Sequence, residues 1–143
     1  MATRNGSAQW NGNLKEGSGR VTIGDDVWTG NYSFASRFED GEGTNPEELL
    51  AAAHAGCFTM ALSLALGDAG HAPETINTSA KVQLRNVDGL PTIAKIDLET
   101  EASVPGVDDA EFQKLAEAAK AGCVVSRALG GVKEINLTAK LAA

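Results

Sequence analysis

The sequence has few cysteines, few aromatic residues and no excess of positive charge. Of its 143 residues, two are cysteine, four are proline and 5% are aromatic. Lys and Arg number 12 against 19 Asp and Glu, which leaves a formal net charge of −7. This charge disfavours binding to a phosphate backbone or to an anionic membrane surface. We therefore expect neither nucleic acid nor membrane as a partner.

No N-terminal segment combines basic residues with the long apolar run of an export signal. The opening MATRNGSAQWNGN is polar, so no signal peptide is predicted. The longest apolar stretch, around residues 49–66, is broken by His54, Gly56, Thr59 and Ser63, which favours a core helix over a membrane span. We expect a cytoplasmic protein, in which a disulfide would be transient and catalytic rather than structural.

The order of predicted elements indicates an α+β fold in one domain, residues 1–143. Short strands are predicted at AQWNG, GRVTIG, DVWTG and YSFAS, a hairpin over 75–104 with an Asp88-Gly89 turn, and a closing strand at KEINLTAKL. Helices are predicted from about 46 to 66 after an Asn45 cap, over about 109–121 after Asp108 or Asp109, and at CVVSRAL. The first helix is apolar on nearly every face, which predicts a central, buried helix.

Both cysteines close nearly identical stretches, AAHAGC at 52–57 and AAKAGC at 118–123. Four interpretations stay open from the residues alone. Free cysteines often only fill space in a core. His54, Cys57, His71 and Cys123 offer four zinc ligands, although no CxxC is present. A cysteine hydrolase would need a His base, and His54 lies one turn from Cys57.

The fourth interpretation is thiol redox chemistry, in which a peroxide oxidises one thiolate and a second thiol resolves the sulfenic acid. That chemistry needs a cation, because a thiolate in apolar surroundings is costly. Cys57 lies too far along its helix for the helix N-terminus to help. Arg20, Arg37 and Arg127 are the rival cations, and spacing alone does not choose between them.

The chain resembles a known family over essentially its whole length. SRFEDGEGTNPEELLAAAHAGCFTMALSLALGDAG at 36–70 and KAGCVVSRAL at 120–129 carry the resemblance. They are similar to the osmotically inducible protein C branch of the superfamily that includes organic hydroperoxide resistance proteins. Relatives often have Pro after the second cysteine, whereas this chain has Val124. Because Pro would restrain the turn there, its absence predicts a looser resolving helix.

The resemblance implies a fold, an activity and four site residues. Members are intertwined homodimers with antiparallel sheets around a long central helix, and their active sites lie at the subunit interface. They are stress-response antioxidants that reduce organic hydroperoxides better than hydrogen peroxide. By motif match, Cys57 is the peroxidatic cysteine and Cys123 the resolving one, Arg37 steadies the thiolate, and Glu47 holds that arginine.

The resemblance also implies a dithiol as reductant, with a lipoyl group on a carrier protein as one candidate. Neither a bound cofactor nor a metal is expected. Apolar residues around Cys57, namely Ala53, Phe58, Met60, Ala61 and Leu64, are expected to favour an alkyl or aryl peroxide or to face a dimer partner. The alternative from another class is a redox-sensing or ligand-binding dimer whose thiols do not turn over.

Overall fold

The computed structural model describes residues 2–142, which divide into two compact units, one up to Leu49 and one from Leu50 onward. Each unit contains a three-stranded sheet. The elements in chain order are β1 (Gly6–Asn11), β2 (Ser18–Ile23), β3 (Trp28–Tyr32), α1 (Phe34–Phe38), α2 (Pro46–Asp68), β4 (Thr75–Val87), β5 (Leu90–Ser103), α3 (Asp109–Gly122), α4 (Val124–Ala128) and β6 (Glu134–Leu141). The α+β class is confirmed, and the assignment of a single domain stays a prediction.

The first unit contains the antiparallel sheet β1–β2–β3, as the three leading strand segments predict. The fourth predicted strand, YSFAS, is wrong because its residues begin the helix α1. Ser33 Oγ accepts the backbone N–H of Ser36 at 3.1 Å, and Ser36 Oγ accepts the backbone N–H of Ser33 at 2.8 Å. This reciprocal capping box satisfies two N–H groups and starts a helix despite the aromatic, β-prone composition.

The start of α2 is the one that the sequence predicts. Asn45 Oδ1 accepts the backbone N–H of Glu48 at 2.8 Å, and Pro46 occupies the first helical position. The Glu48 carboxylate accepts hydrogen bonds from the side chains of Thr44 and Asn45 rather than from a backbone N–H. The helix therefore begins from a side-chain network in the preceding loop.

Burial along α2 is one-sided within the described chain. His54, Phe58, Leu62 and Leu66, one turn apart, are fully buried. On other faces Met60 is 76% exposed and Leu64 is 66% exposed. The helix predicted to be central and buried is therefore buried along one face in a single chain. By length and composition alone α2 could cross a membrane, a test that a core helix of this kind also passes.

The second unit contains the predicted hairpin of β4 and β5. Asp88 and Gly89 both adopt positive φ, 52° and 84°, the backbone that a two-residue hairpin turn of type I′ requires. The pairing shifts between Gln83 and Leu84, and regular alternation of buried and less buried residues along β5 begins only at Ile96. β6 pairs with β5 in parallel, so this sheet is mixed.

The core of the second unit lies between α2, α3 and the inner face of the mixed sheet. Its buried members are Phe58, Leu62, Leu66, Leu98, Ala102, Val104, Phe112, Ala116, Ala119 and Cys123. Asp108 caps α3 by accepting the N–H of Glu111 at 2.8 Å. Cys123 then ends α3 and starts α4 in an extended conformation, φ −60° and ψ 125°, which presents its side chain to the core.

Candidate active site

Arg37 and Glu47 form a two-pronged ion pair in the first unit. Arg37 Nε donates to Glu47 Oε1 at 2.9 Å, and Nη2 donates to Oε2 at 3.0 Å. The Glu47 side chain is 10% exposed and that of Arg37 is 38% exposed. A guanidinium held through two parallel hydrogen bonds keeps a fixed orientation and its full charge. The expected partnership of these two residues is therefore present as a contact.

The loop between α1 and α2 positions this pair. The buried Ser36 donates from Oγ to the carbonyl of Thr44 at 2.7 Å, and Asn45 Nδ2 donates to the carbonyl of Ser36 at 2.8 Å. Gly43 has φ +110°, and a Cβ built there would stand 2.6 Å from the Asn31 carbonyl oxygen. These contacts bring the last turn of α1, with Arg37, beside the first turn of α2, with Glu47.

Arg37 also borders an aromatic cleft in the first unit. The cleft has a volume of about 410 Å³. Its lining consists of Trp10, Gly12, Leu14, Tyr32, Ser33, Phe34, Arg37 and Phe38. The Arg37 guanidinium carbon stands 5.3 Å from the centre of the Phe38 ring. A mainly apolar recess with one cation at its edge suits a ligand with an organic body and a polar or developing anionic end.

The two cysteines contact each other in the second unit. Both are free thiols, Cys57 partly exposed on α2 and Cys123 1% exposed between α3 and α4. The two thiols lie close enough for each to act on the pKa of the other. The second unit thus brings together the pair that the motif match names as peroxidatic and resolving.

The environment pushes the pKa values of the two thiols apart. Burial is the main cause that raises the pKa of Cys57; the neighbouring Cys123 raises it further, while the Val125 N–H opposes the shift. Burial also acts to raise the pKa of Cys123. The Ser126 N–H, the Cys57 thiol and the Ser126 hydroxyl together outweigh it, so the pKa of Cys123 lies below its usual value. Of the two thiols, Cys123 is therefore the one that loses its proton more readily.

His54 packs beside the pair. Its ring is fully buried, and its Nε2 lies 2.6 Å from Ser126 Oγ on α4. Burial lowers the pKa of His54, which keeps the imidazole neutral. This contact occupies Nε2, the outer ring nitrogen, with Ser126 rather than with Cys57. The hydrolase interpretation, in which His54 is the base for Cys57, is therefore not supported.

The zinc interpretation loses one of its four ligands. His71 Nε2 lies 3.3 Å from Glu111 Oε2, an ion pair if the ring is protonated. Within residues 2–142, no three His, Cys, Asp or Glu side chains converge as a metal site would require. His54 is instead a buried histidine hydrogen-bonded to Ser126.

The structure also places the two rival cations, Arg20 and Arg127, and the residues predicted to line the substrate site. Arg20 Nη2 donates to Gln9 Oε1 at 3.1 Å on the neighbouring strand, and Arg127 is exposed on α4. The prediction that Phe58 lines the peroxide site is wrong, because Phe58 lies fully buried in the core.

Sequence reasoning missed the part played by α4. The N–H groups of Val124 and Val125 act on Cys57, and Ser126 acts on Cys123. The sequence contains one hint of this arrangement: Ser126 follows Cys123 by three residues, and His54 precedes Cys57 by three, so each polar side chain lies about one turn from a cysteine. The pairing of those two turns is tertiary, however, and no spacing along the chain predicts it.

Two neighbouring free thiols in an α+β fold of this topology place the chain in the class of proteins with a pair of redox-active cysteines. The chain belongs to the OsmC-like protein family, whose model matches residues 39–138. It is 49% identical over 127 residues to peroxiredoxin OsmC of Escherichia coli strain K12, covering 88% of this chain and 89% of that protein. It is 35% identical over 99 residues to an organic hydroperoxide resistance protein of Xanthomonas axonopodis pv. citri, covering 68% of each.

A solved structure has the same fold. The organic hydroperoxide resistance protein of Elizabethkingia anophelis superposes with a TM-score of 0.75 at 27% identity, covering 99% of this chain and 98% of that one. The family resemblance and the α+β fold class expected from it are therefore confirmed. The homodimer stays a prediction, and the parallel pairing of β6 with β5 departs from the expected antiparallel sheets.

The buried His54 predicts a loss of stability in mild acid. Because burial lowers the pKa of His54, the unfolded chain binds more protons at this side chain than the folded protein does. The free energy of unfolding should therefore fall as the pH drops below about 6.5, the ordinary histidine value. Urea unfolding measured from about pH 7.5 to about pH 5 checks this.

The matched variants are His54→Gln, which should lack this part of the pH dependence, and His71→Gln, which keeps His54 in place. An unchanged slope in His54→Gln would contradict the assignment of the loss to His54.

Proposed function

We propose that this protein is a thiol-dependent peroxidase that reduces organic hydroperoxides better than hydrogen peroxide. The observation that carries the proposal is the contact between one partly exposed thiol, Cys57, and one buried thiol, Cys123. A peroxide can reach the first but not the second. Similarity to the peroxiredoxin OsmC of Escherichia coli and to the Xanthomonas hydroperoxide resistance protein supports the same activity.

In the proposed cycle the Cys57 thiolate attacks the terminal oxygen of the hydroperoxide. The S–O bond forms as the O–O bond breaks, and the alkoxide takes a proton and leaves as an alcohol. Cys123 then attacks the Cys57 sulfenic acid, which gives a disulfide and water. A dithiol restores both thiols by exchange through a mixed disulfide. A lipoyl group on a carrier protein is the candidate dithiol. We place this cycle in the cytoplasm, as part of a stress response.

Cys57 needs a positive charge to perform the first step. Burial raises its pKa, and the contact with Cys123 works in the same direction. A thiol in this state is mostly protonated and a poor nucleophile at neutral pH. We assign the missing charge to Arg37, because the ion pair with Glu47 gives it a fixed orientation. Arg20 is already bonded to Gln9, which makes it the weaker candidate.

The aromatic cleft beside Arg37 accounts for a preference for organic peroxides. An alkyl or aryl group gains from leaving water for a recess lined by Trp10, Tyr32, Phe34 and Phe38, whereas hydrogen peroxide has no such group. The guanidinium at its edge would stabilise the negative charge that develops on the leaving oxygen.

We also propose that the protein is a homodimer. Part of α2 carries small or apolar side chains that are exposed in a single chain, with Met60 and Leu64 the largest. We call Ala52, Gly56, Met60, Leu64 and Gly67 the outer face of α2; all five are exposed. An apolar strip on a long helix is costly in water and is typical of a surface that another chain covers.

Substitution of each cysteine separates the two chemical steps. Cys57→Ser should abolish reduction of cumene hydroperoxide, because the attacking sulfur is lost. Cys123→Ser should react once and stop at a sulfenic acid or an intermolecular disulfide. The measurement is intact mass and peptide mapping after one equivalent of peroxide, followed by turnover with a dithiol.

Wild-type protein should lose two hydrogens, show a Cys57–Cys123 linkage, and react faster with the organic peroxide than with hydrogen peroxide. Unmodified thiols with both oxidants would contradict the proposal. A single oxidation that no dithiol reverses would favour a redox sensor without turnover.

Arg37→Ala should raise the pKa of Cys57 and slow its oxidation at pH 7 by about tenfold to a hundredfold, the effect of one to two pKa units on the thiolate fraction. The difference should shrink as the pH rises, since both proteins then carry the thiolate. Stopped-flow oxidation and pH-dependent alkylation measure this. Arg20→Ala and Arg127→Ala are the matched controls. If Arg20→Ala slows the reaction and Arg37→Ala does not, the cation has been assigned wrongly.

Met60→Glu should weaken the proposed dimer, because it places a charge on the outer face of α2. Sedimentation velocity should show a shift towards monomer relative to the wild type. Val27→Glu is the control, since Val27 is 79% exposed on a turn of the first unit. A monomeric wild type, or equal dissociation of both variants, would contradict this interface.

A further inference from the structure

His54 is a buried titratable group that the proposed peroxidase cycle does not use. Its ring is fully buried, and Nε2 makes a 2.6 Å hydrogen bond with Ser126 Oγ. Among the described residues, Nδ1 meets no hydrogen-bond partner. A short, buried side-chain hydrogen bond beside two reactive thiols calls for an explanation in terms of those thiols.

The unpartnered nitrogen assigns the tautomer of His54. Burial keeps the ring neutral, so one nitrogen carries hydrogen and the other is an acceptor. Hydrogen on Nδ1 would leave a buried donor without an acceptor, which is rarer and costlier than an unused acceptor lone pair. The hydrogen therefore lies on Nε2, and His54 donates to Ser126 Oγ.

This direction determines where the hydroxyl of Ser126 points. Its oxygen accepts from His54, so its own hydrogen is available for a second partner. Ser126 is the third residue of α4 and lies in the turn that directly follows Cys123, which caps this helix without a side-chain hydrogen bond to it. The Ser126 side chain acts to lower the pKa of Cys123, so this free hydrogen is assigned to the Cys123 sulfur. A directed chain results: His54 Nε2–H to Ser126 Oγ–H to Cys123 Sγ.

We propose that His54 and Ser126 are positioning residues that prepare Cys123 for resolution, with His54 orienting the Ser126 hydroxyl to hold the Cys123 sulfur as a thiolate aimed at Cys57. This inference deepens the proposed peroxidase function and rests on it. His54 acts as a neutral donor, so it need not gain or lose a proton during the cycle.

The resolving step balances with these groups alone. Once Cys57 is a sulfenic acid, the Cys123 thiolate attacks the Cys57 sulfur. The S–S bond forms and the S–O bond breaks, and the departing hydroxide combines with a proton to leave as water. Cys57 is reduced from the sulfenic to the disulfide level as Cys123 is oxidised. The Ser126 hydroxyl donates to the sulfur until the S–S bond has formed.

Few titratable groups face Cys123 from the elements packed around it. On α2 they are Cys57 and, through Ser126, His54. The core side chains that join Cys123 from α3 and the mixed sheet are apolar. A change in Cys123 reactivity with pH therefore reports on this small group.

The first experiment measures the Cys123 thiolate without any peroxide. In a Cys57→Ser background Cys123 is the sole thiol, and its pKa follows from ultraviolet absorbance or alkylation against pH. Ser126→Ala and His54→Phe should each raise that pKa by about one unit. His54→Gln, which keeps an N–H donor on a side chain of similar reach, should stay near the parent value. Ser79→Ala, on an exposed strand position, is the matched control.

The second experiment follows resolution with both cysteines present. Stopped-flow traces should show disulfide formation slowed about tenfold in Ser126→Ala and His54→Phe, in line with a one-unit shift. Oxidation of Cys57 should not slow, and His54→Gln should resolve within about threefold of the wild type. If His54→Phe does not fold, the test rests on comparing Ser126→Ala with His54→Gln. Ser126→Ala is expected to fold, because it only deletes one oxygen.

The outcomes separate the two proposals. If Ser126→Ala folds and leaves both the Cys123 pKa and the resolution rate unchanged, the positioning role is overturned. If His54→Gln matches Ser126→Ala, the donor role of His54 is overturned. If the pKa shifts as expected but peroxide oxidises no variant, the positioning contact stands and the peroxidase function fails.

Discussion

The packing of α2 against the first turn of α4 is the constraint on which the site depends. It presses one turn of α2, from His54 to Cys57, against the segment from Cys123 to Ser126, so that a sulfur and a ring on one side meet a sulfur and a hydroxyl on the other. Leu62 and Leu66 continue the same buried face of α2 into the core, which anchors the helix beyond the site. Any shift of α2 along its axis would therefore break the thiol contact and the His54–Ser126 hydrogen bond together. This coupling gives a reason for placing His54 and Cys57 on a packed helix and Cys123 at the junction of two helices, since packed helices hold a geometry that a loop does not.

The same packing has an electrostatic consequence. Bringing two thiols together in a partly buried site makes the loss of both protons costly, and the groups around the pair favour the state in which Cys123 rather than Cys57 has lost its proton. That state suits a resolving cysteine that must be ready to attack. It does not suit a peroxidatic cysteine, which must be deprotonated before a peroxide arrives. The second unit thus prepares the later step of the proposed cycle better than the first step. The ion pair of Arg37 with Glu47, built separately in the first unit, carries the kind of charge that the first step lacks.

Local signals predicted most of the fold, and the reasons for the exceptions are local as well. The Asn45 cap, the Asp88-Gly89 turn and the alternating strands each depend on neighbours a few residues away, so the sequence was sufficient for them. The segment YSFAS was misassigned because its aromatic residues favour a strand, whereas two serine side chains form a capping box. The four site residues came from the family motif rather than from spacing. Of the contacts among them, Arg37 with Glu47 spans a loop of the first unit. The contact of Cys57 with Cys123 joins residues more than sixty positions apart and depends on the whole core.

Val124 shows how the structure changes the meaning of a sequence feature. From the sequence, the absence of a proline after Cys123 predicts only a looser resolving helix. In the structure Val124 is the first residue of α4, a position where proline is well tolerated because its missing N–H is not needed by the helix. Here that N–H has a use, since it is one of the backbone groups that lower the pKa of Cys57 against the effect of burial. A proline would stiffen the turn and remove this donor at once. The valine side chain itself is 69% exposed and leaves the core unchanged. Proline at this position would make the resolving segment more rigid, whereas valine supplies an N–H that stabilises the attacking thiolate. This chain has valine and therefore keeps the N–H.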